Sequence, residues 1–332
     1  MKNLKILSFL LLLIFTASCK ERGESTIDDE YAEFRTEPEY ITNPTRAQRE
    51  YFDAYDKVLQ HWNVDYEELY IPTSKGTAHV IISGPKSGEP VVLLHGMSSS
   101  STMWYPNAKA LSGEFRLFAI DLIIEPGKSY KTADFEDLDE VTAWYQEVLW
   151  ALKLESYHLI GSSRGGWLAV NLALKSKREI RSLVLLSPAQ TIIWMRPTSG
   201  LLKNIGNIFV SKEKRVDRTI STMSSEPENI DEDFLKQYRI AKKHDTLNKF
   251  MMQMQPFSNK DMGKLKMPVL VLIGDEDIMN NKRTLALIDK HMANAKGEVI
   301  HESGHFLSVD QPEKVNRKIV DFLKSVEQGR TD

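Results

Sequence analysis

Apolar positions change their spacing several times along the chain, and each change predicts an element. From Thr45, "TRAQREYFDAYDKVLQHW" places Tyr51, Tyr55, Val58, Leu59 and Trp62 at helical spacing, which predicts an amphipathic opening helix. Two alternating runs follow, "DYEELYIPT" and "GTAHVIISG", joined by the turn-like "SKG". They predict an antiparallel hairpin at a sheet edge. The pattern then contracts to short continuous apolar runs: "PVVLLHG", "FRLFAID", "YHLIGSS", "SLVLLSP" and "PVLVLIGDED". Strands buried on both faces read this way, and the helix-length sequence between them predicts a mostly parallel central sheet with helices on both faces. Helices are expected over 137–152, 163–176, 280–293 and 311–325. For the last, Asp310 is the expected N-cap with Pro312 in the first turn, and Val315, Ile319, Phe322 and Leu323 form one buried stripe.

One interval is too long for a simple crossover. Between "SLVLLSPAQ" and "MPVLVLIGDED", the segments "IIWMRP", "LLKNIGNIFV", "DEDFLKQYRIAKKH" and "NKFMMQMQPF" predict several short helices. This reads as a helical lid inserted after the sixth strand, spanning 189–264, with core segments 45–188 and 265–328 on either side. Met251, Met252 and Met254 fit an adaptable pocket wall or the packing of the lid itself. The mixed-charge run "SKEKRVDR" reads as a solvated helix face.

Composition bounds the function classes. Of 332 residues, 42% are apolar and 27% charged, as in a folded body with a sizeable core. The net charge of −3 leaves no electrostatic footprint for nucleic acid. No internal period of solenoid length is present.

The N-terminus belongs to another physical class. Lys2 and Lys5 precede the apolar run "ILSFLLLLIFTA", which is too short for a stable bilayer span but suits a signal peptide over 1–18. The single cysteine, Cys19, follows in "FTASCK", which resembles the lipobox of bacterial lipoproteins, with Phe15 and Thr16 where that family prefers leucine. The resemblance implies acylation of Cys19, membrane attachment through that lipid and an extracytoplasmic location. An ordinary signal peptide and a secreted soluble product is the alternative. Residues 19–44, polar and acidic, are expected to act as a flexible linker. One cysteine allows no intrachain disulfide, so the body must hold by packing.

The sharpest chemical motif is "GSSRG", Gly161 to Gly165, a G-x-S-x-G match between the strand-like "YHLI" and the buried-helix pattern "GGWLAVNLALKS". A sharp strand-to-helix turn would lift the Ser163 hydroxyl above the sheet edge and crowd its neighbours, which Gly161 and Gly165 accommodate. Such a hydroxyl needs a base, and the base needs an orienting group. Here the chain resembles the α/β-hydrolase superfamily, whose triad runs serine, acid, histidine. The resemblance covers roughly residue 45 to the end. In "VLVLIGDEDIM" the family pattern selects Asp277, with Asp275 the competitor.

"HESGHF" admits two readings. As H-E-x-x-H it would place His301 and His305 on one helical face for zinc, with Glu302 as base and Glu327 as a third ligand. But "AKGEVI" before it reads as a strand, and Ser303 and Gly304 weaken a helix. The segment "HESGHFLSVDQPEKVNRKIVDFL" resembles the α/β-hydrolase C-terminus, which makes His305 the base. The His95-Gly96 turn in "LLHGMSSSSTMW" resembles the oxyanion turn of the same families, implying backbone N–H donors at Met97 and Arg164 and a structural role for His95. "AIDLIIEPGKS" resembles their D-x-x-G-x-G-x-S loop from Asp121 to Ser129, departing by one extra residue and by Glu125-Pro126. Arg164 is a second departure, read either as a receiver of an anionic substrate group or as the partner of Glu125.

The expectation is a serine hydrolase acting on an ester, or a thioester, amide or carbon–carbon bond, of a small molecule, with no metal or organic cofactor. A carboxylate would be wanted at Ser163 for dehalogenation. A binding protein that kept the fold without turnover is the competing class.

Overall fold

The computed structural model describes residues 29–194, 212–244, 250 and 253–331. The N-terminal residues 1–28, with Cys19, and Met251 and Met252 lie outside the described residues, as do 195–211. The described residues from Tyr31 onward form one compact unit.

The predicted hairpin is β1 (Tyr66–Thr73) and β2 (Gly76–Ser83), paired antiparallel with Thr73 opposite Gly76. The continuous apolar runs are β3 (Glu89–Leu94) and β4 (Phe115–Ile120), with β5 (Tyr130–Lys131), β6 (Ser156–Ser162), β7 (Glu179–Leu186), β8 (Val269–Gly274) and β9 (Ala295–Ile300) after them. Together they make a nine-stranded sheet in the order β1-β2-β4-β3-β6-β7-β8-β9, parallel from β4 onward, with β5 bridging to β2. The two-residue β5 is absent from the sequence expectation because it carries no apolar run, so the strand before the long insertion is seventh in chain order rather than sixth.

The period of two sorts each strand's side chains onto two faces. Val92, Leu94, Phe118, Ile120 and Val271 join one hydrophobic cluster; Val91, Leu93, Leu117, Ala119 and Leu270 join the other. The first face is covered by the helices containing Trp144, Leu168 and Ile288, the second by those containing Tyr55, Leu111 and Ile319. In chain order the longer helices are α1 (Arg46–Leu59), α2 (Tyr105–Ser112), α3 (Leu138–Ala151), α4 (Arg164–Lys175), α5 (Lys212–Met223), α6 (Glu232–His244), α7 (Lys282–His291) and α8 (Pro312–Thr331). Helix α1 starts at a capping box in which Thr45 and Gln48 satisfy each other's backbone N–H groups. The expected spans 137–152, 163–176 and 280–293 correspond to α3, α4 and α7 within two residues at each end.

Two expectations are corrected. Asp310 does not cap α8: it ends a short helical turn, Leu307–Asp310, and its buried carboxylate accepts N–H groups from Gly304 and Ser225. The described part of the expected linker is folded rather than free. Tyr31 is buried in the core with its hydroxyl donating to Leu152 O, Phe34 packs against the same cluster, and Tyr40 donates to Lys128 O. Aromatic side chains supply the burial that the polar composition of this stretch conceals.

A charged network sits under this segment. His79, fully buried, bridges Asp121 at 2.9 Å and Glu68 at 2.9 Å, and Lys128 pairs with Glu68 and Asp56. Burial alone would raise Glu68, but hydrogen bonds and charge from His79 and Lys128 outweigh it and hold its pKa at about 2. Burial disfavours the charge on His79, yet its two carboxylate partners keep its pKa raised.

Truncating Ile319 to alanine, at a fully buried position on α8, should cost about 2–5 kcal/mol in urea unfolding; a loss under about 1 kcal/mol contradicts this packing. Because the folded pKa of Glu68 is depressed, its contribution is present above its ordinary value of 4.5 and disappears as pH falls through about 2. Glu68→Gln should therefore be less stable than wild type at pH 7, with the deficit shrinking below pH 4.5. A deficit constant across that window contradicts the assignment.

Candidate active site

The ladders of the parallel strands align their C-terminal ends. Leu94 of β3 pairs with Gly161 of β6, Ser162 with Leu186 of β7, Leu186 with Leu272 of β8, and Gly274 with Ile300 of β9. The segments that leave β3, β6, β8 and β9 carry Met97, Ser163, Asp277 and His305, so all four emerge on one edge.

Ser163 sits between β6 and α4 with φ 51° and ψ −116°, a conformation costly for any side chain. It is tolerable because the neighbours are small. A Cβ on Gly161 would lie 2.3 Å from Gly165 O, and one on Gly165 would lie 2.2 Å from Leu94 O. The elbow is pinned by Ser163 N donating to Leu186 O at 2.9 Å.

His305 joins the elbow to the acid. Its Nε2 is 2.8 Å from Ser163 Oγ and its Nδ1 is 3.0 Å from Asp277 Oδ1. Asp277 also accepts Met279 N–H at 2.8 Å and the Asn280 side-chain amide at 2.9 Å. Burial pushes the Asp277 carboxyl up, but the charge and hydrogen bond of His305, with Met279 and Asn280, hold it at about 2. An ionised, buried carboxylate on Nδ1 keeps a proton there and leaves Nε2 to accept from the serine. The histidine loop is tied down in turn: Gly304 N donates to Asp310 at 2.8 Å and Phe306 N to Met223 O at the end of α5.

The competing assignments fall elsewhere. Asp275 pairs with exposed His301 at 3.1 Å and accepts Ser303 N–H, away from His305. His301 and Glu302 lie in a turn, Glu302 with φ 61° and paired with Lys314, so the helix that H-E-x-x-H requires is missing. Glu327 pairs with Arg181 and His158 instead. Among the described residues, His61, Asp231 and Asp233 are the group whose ligand atoms lie close enough to share an ion, and there Asp231 caps α6.

His95 is a strut of the turn it opens. Its Nε2 accepts Leu122 N–H at 2.8 Å, so the proton is on Nδ1, which donates to Gly96 O at 2.8 Å. Burial lowers its pKa and keeps this neutral form. Gly96 lies against the nucleophile: a Cβ there would be 3.4 Å from Ser163 Cβ. Asp121 accepts Ser101 N–H at 2.7 Å and Lys128 N–H at 2.8 Å, joining the loop after β3 to the loop after β4. Arg164 pairs with Glu125, both side chains nearly fully buried, which is the arrangement that the ion-pair reading of that arginine expects. As the first residue of α4, Arg164 has an N–H without an intrahelical acceptor.

A small pocket opens beside Ser163, walled by Met97, Met103, Phe234, Tyr238, Phe306 and Val309. Phe234 and Tyr238 come from α6, within the insertion between β7 and β8. Gln237, one residue from Tyr238, accepts from the Thr102 hydroxyl at 2.7 Å and donates to Ser100 and Tyr51, so α6 is bonded to the loop after β3. Met254, the described member of the predicted methionine cluster, is buried in the core.

Asn280, Gln237 and Asp310 are the residues of this site that sequence reasoning missed. A buried amide or carboxylate leaves no periodic signal, although "GDEDIMN" and "GHFLSVD" hold two of them close to the triad members.

The chain is 28% identical over 279 residues to carboxylesterase YbfK of Bacillus subtilis (strain 168), covering 82% of this chain and 93% of the relative. The crystal structure of naproxen esterase (carboxylesterase NP) from Bacillus subtilis superposes with a TM-score of 0.77 at 28% identity, over 84% of this chain and 99% of that one. Carboxylesterase CesB (YbfK) from the same organism superposes with a TM-score of 0.77 over the same shares. The family model of the alpha/beta hydrolase fold matches residues 89–312, from β3 to the start of α8, and the chain belongs to that family.

Proposed function

We propose that this protein is a serine hydrolase that cleaves carboxylic esters of small molecules through an acyl-enzyme on Ser163. One observation carries the reading: the unbroken contact from Ser163 Oγ through His305 to Asp277, at 2.8 Å and 3.0 Å. The carboxylesterase names of the Bacillus subtilis relatives support the ester as the bond attacked.

In this reading His305 Nε2 takes the Ser163 proton as Oγ adds to the ester carbonyl, and Asp277 stabilises the resulting imidazolium. The backbone N–H groups of Met97 and Arg164 receive the oxyanion. His305 then protonates the leaving alkoxide, and a water activated by the same imidazole releases the acid. The apolar wall of Met97, Met103, Phe234, Tyr238 and Phe306 suits an apolar acyl or alcohol group. The insertion acts as a cap over this pocket through α6. Acylation of Cys19 would hold the enzyme at an extracytoplasmic membrane surface, and loss of membrane fractionation in Cys19→Ser checks that part.

Hydrolysis of p-nitrophenyl esters should fall by at least about 10³-fold in Ser163→Ala and in His305→Ala with the fold intact, while Glu302→Gln stays within about twofold. An active Ser163→Ala with an inactive Glu302→Gln would overturn the reading. Across acyl chain lengths, Tyr238→Ala should shift the preferred length upward by enlarging the pocket; an unchanged profile would remove α6 from the substrate wall.

A further inference from the structure

The two residues that depart from the family pattern near the site meet each other, and their meeting point is informative. The oxyanion donors come from separate segments, Met97 on the loop after β3 and Arg164 at the head of α4, and both must lie within about 3 Å of one oxygen. Glu125 bonds to both segments. Its Oε2 accepts the N–H of Ser98, the residue after Met97, at 2.8 Å, and its Oε1 accepts the Arg164 guanidinium. Resting on the reading of the site above, we propose that Glu125 is a positioning residue that sets the separation and aim of the two oxyanion donors.

The surroundings fit a strut. The Arg164 and Glu125 side chains are 2% and 3% exposed, so the ionic contact is shielded from water and salt. Ser98 is held at φ 57°, a left-handed conformation that a serine adopts at a cost, and its N–H is the group Glu125 grips. Glu125 is itself fixed by a turn, its N–H donating to Leu122 O at 2.8 Å, and by Pro126 after it, which narrows its backbone freedom. Asp121 anchors the far end of the same loop through Ser101 N–H. A buried ion pair is a poor source of net stability, so its place between the two donors calls for a different role.

The test removes the charges together, so that no buried charge is left unpaired. Glu125→Leu/Arg164→Met should melt near wild type and keep KM for a p-nitrophenyl ester within about twofold. Its kcat should drop on the order of 10- to 100-fold, and the Ki of an alkylboronic acid, which forms a tetrahedral adduct on serine, should rise by a similar factor. Glu125→Gln/Arg164→Met, which restores an acceptor for Ser98, should recover part of both. Unchanged kcat and Ki in the folded Leu/Met variant would overturn the proposal, as would a loss confined to KM. A wild type that neither turns over esters nor binds the boronic acid would overturn the reading of the site itself, and the strut with it.

Discussion

Hydrogen-bonded register between parallel strands decides which loops meet. β3, β6, β7, β8 and β9 are laddered so that their C-terminal ends finish side by side, and residues far apart in sequence emerge within bonding distance there. A slip of one residue in any of these ladders would exchange the two faces of that strand and break both hydrophobic clusters at once. The same burial that fixes the sheet therefore fixes the spacing between the serine elbow and the histidine loop.

On that edge, buried carboxylates hold the loops. Asp277 holds His305, Asp310 holds Gly304 and Ser225, Asp121 holds Ser101 and Lys128, and Glu125 holds Ser98 and Arg164. Each accepts backbone N–H groups, charged partners or both, which offsets the cost of desolvating an anion. Loops that would otherwise be free to move are given fixed geometry by charge-assisted bonds, which a site that must hold donors within tenths of an ångström requires.

Much of this was legible in the chain. Alternation identifies the hairpin, continuous apolar runs the buried strands and a period of about 3.6 most long helices, because burial on one or both faces is written directly into residue order. The elbow was legible because Gly161 and Gly165 answer a steric need at fixed offsets from Ser163, with the contacts at 2.3 Å and 2.2 Å that a side chain would make there. The family resemblance selected His305 and Asp277, and the geometry brings them together. Less accessible were contacts between remote residues. Tyr31 and Tyr40 fold a stretch whose composition is polar, Asp310 reaches back to Gly304 instead of capping α8, and His79 joins Glu68 to Asp121. None of these has a local period, since the partner is set by how loops converge after the sheet has formed. Arg164 and Glu125 were visible as departures from a pattern, but only their placement ties both oxyanion segments together.

The most direct test of that convergence is covalent. A fluorophosphonate reacts with a serine hydroxyl only where a base and an oxyanion site act on it together, and peptide mass mapping locates the adduct. A single phosphonyl adduct on Ser163 is expected in wild-type protein and none in His305→Ala. Adduct on another residue, or equal labelling of Ser163 without His305, would contradict it.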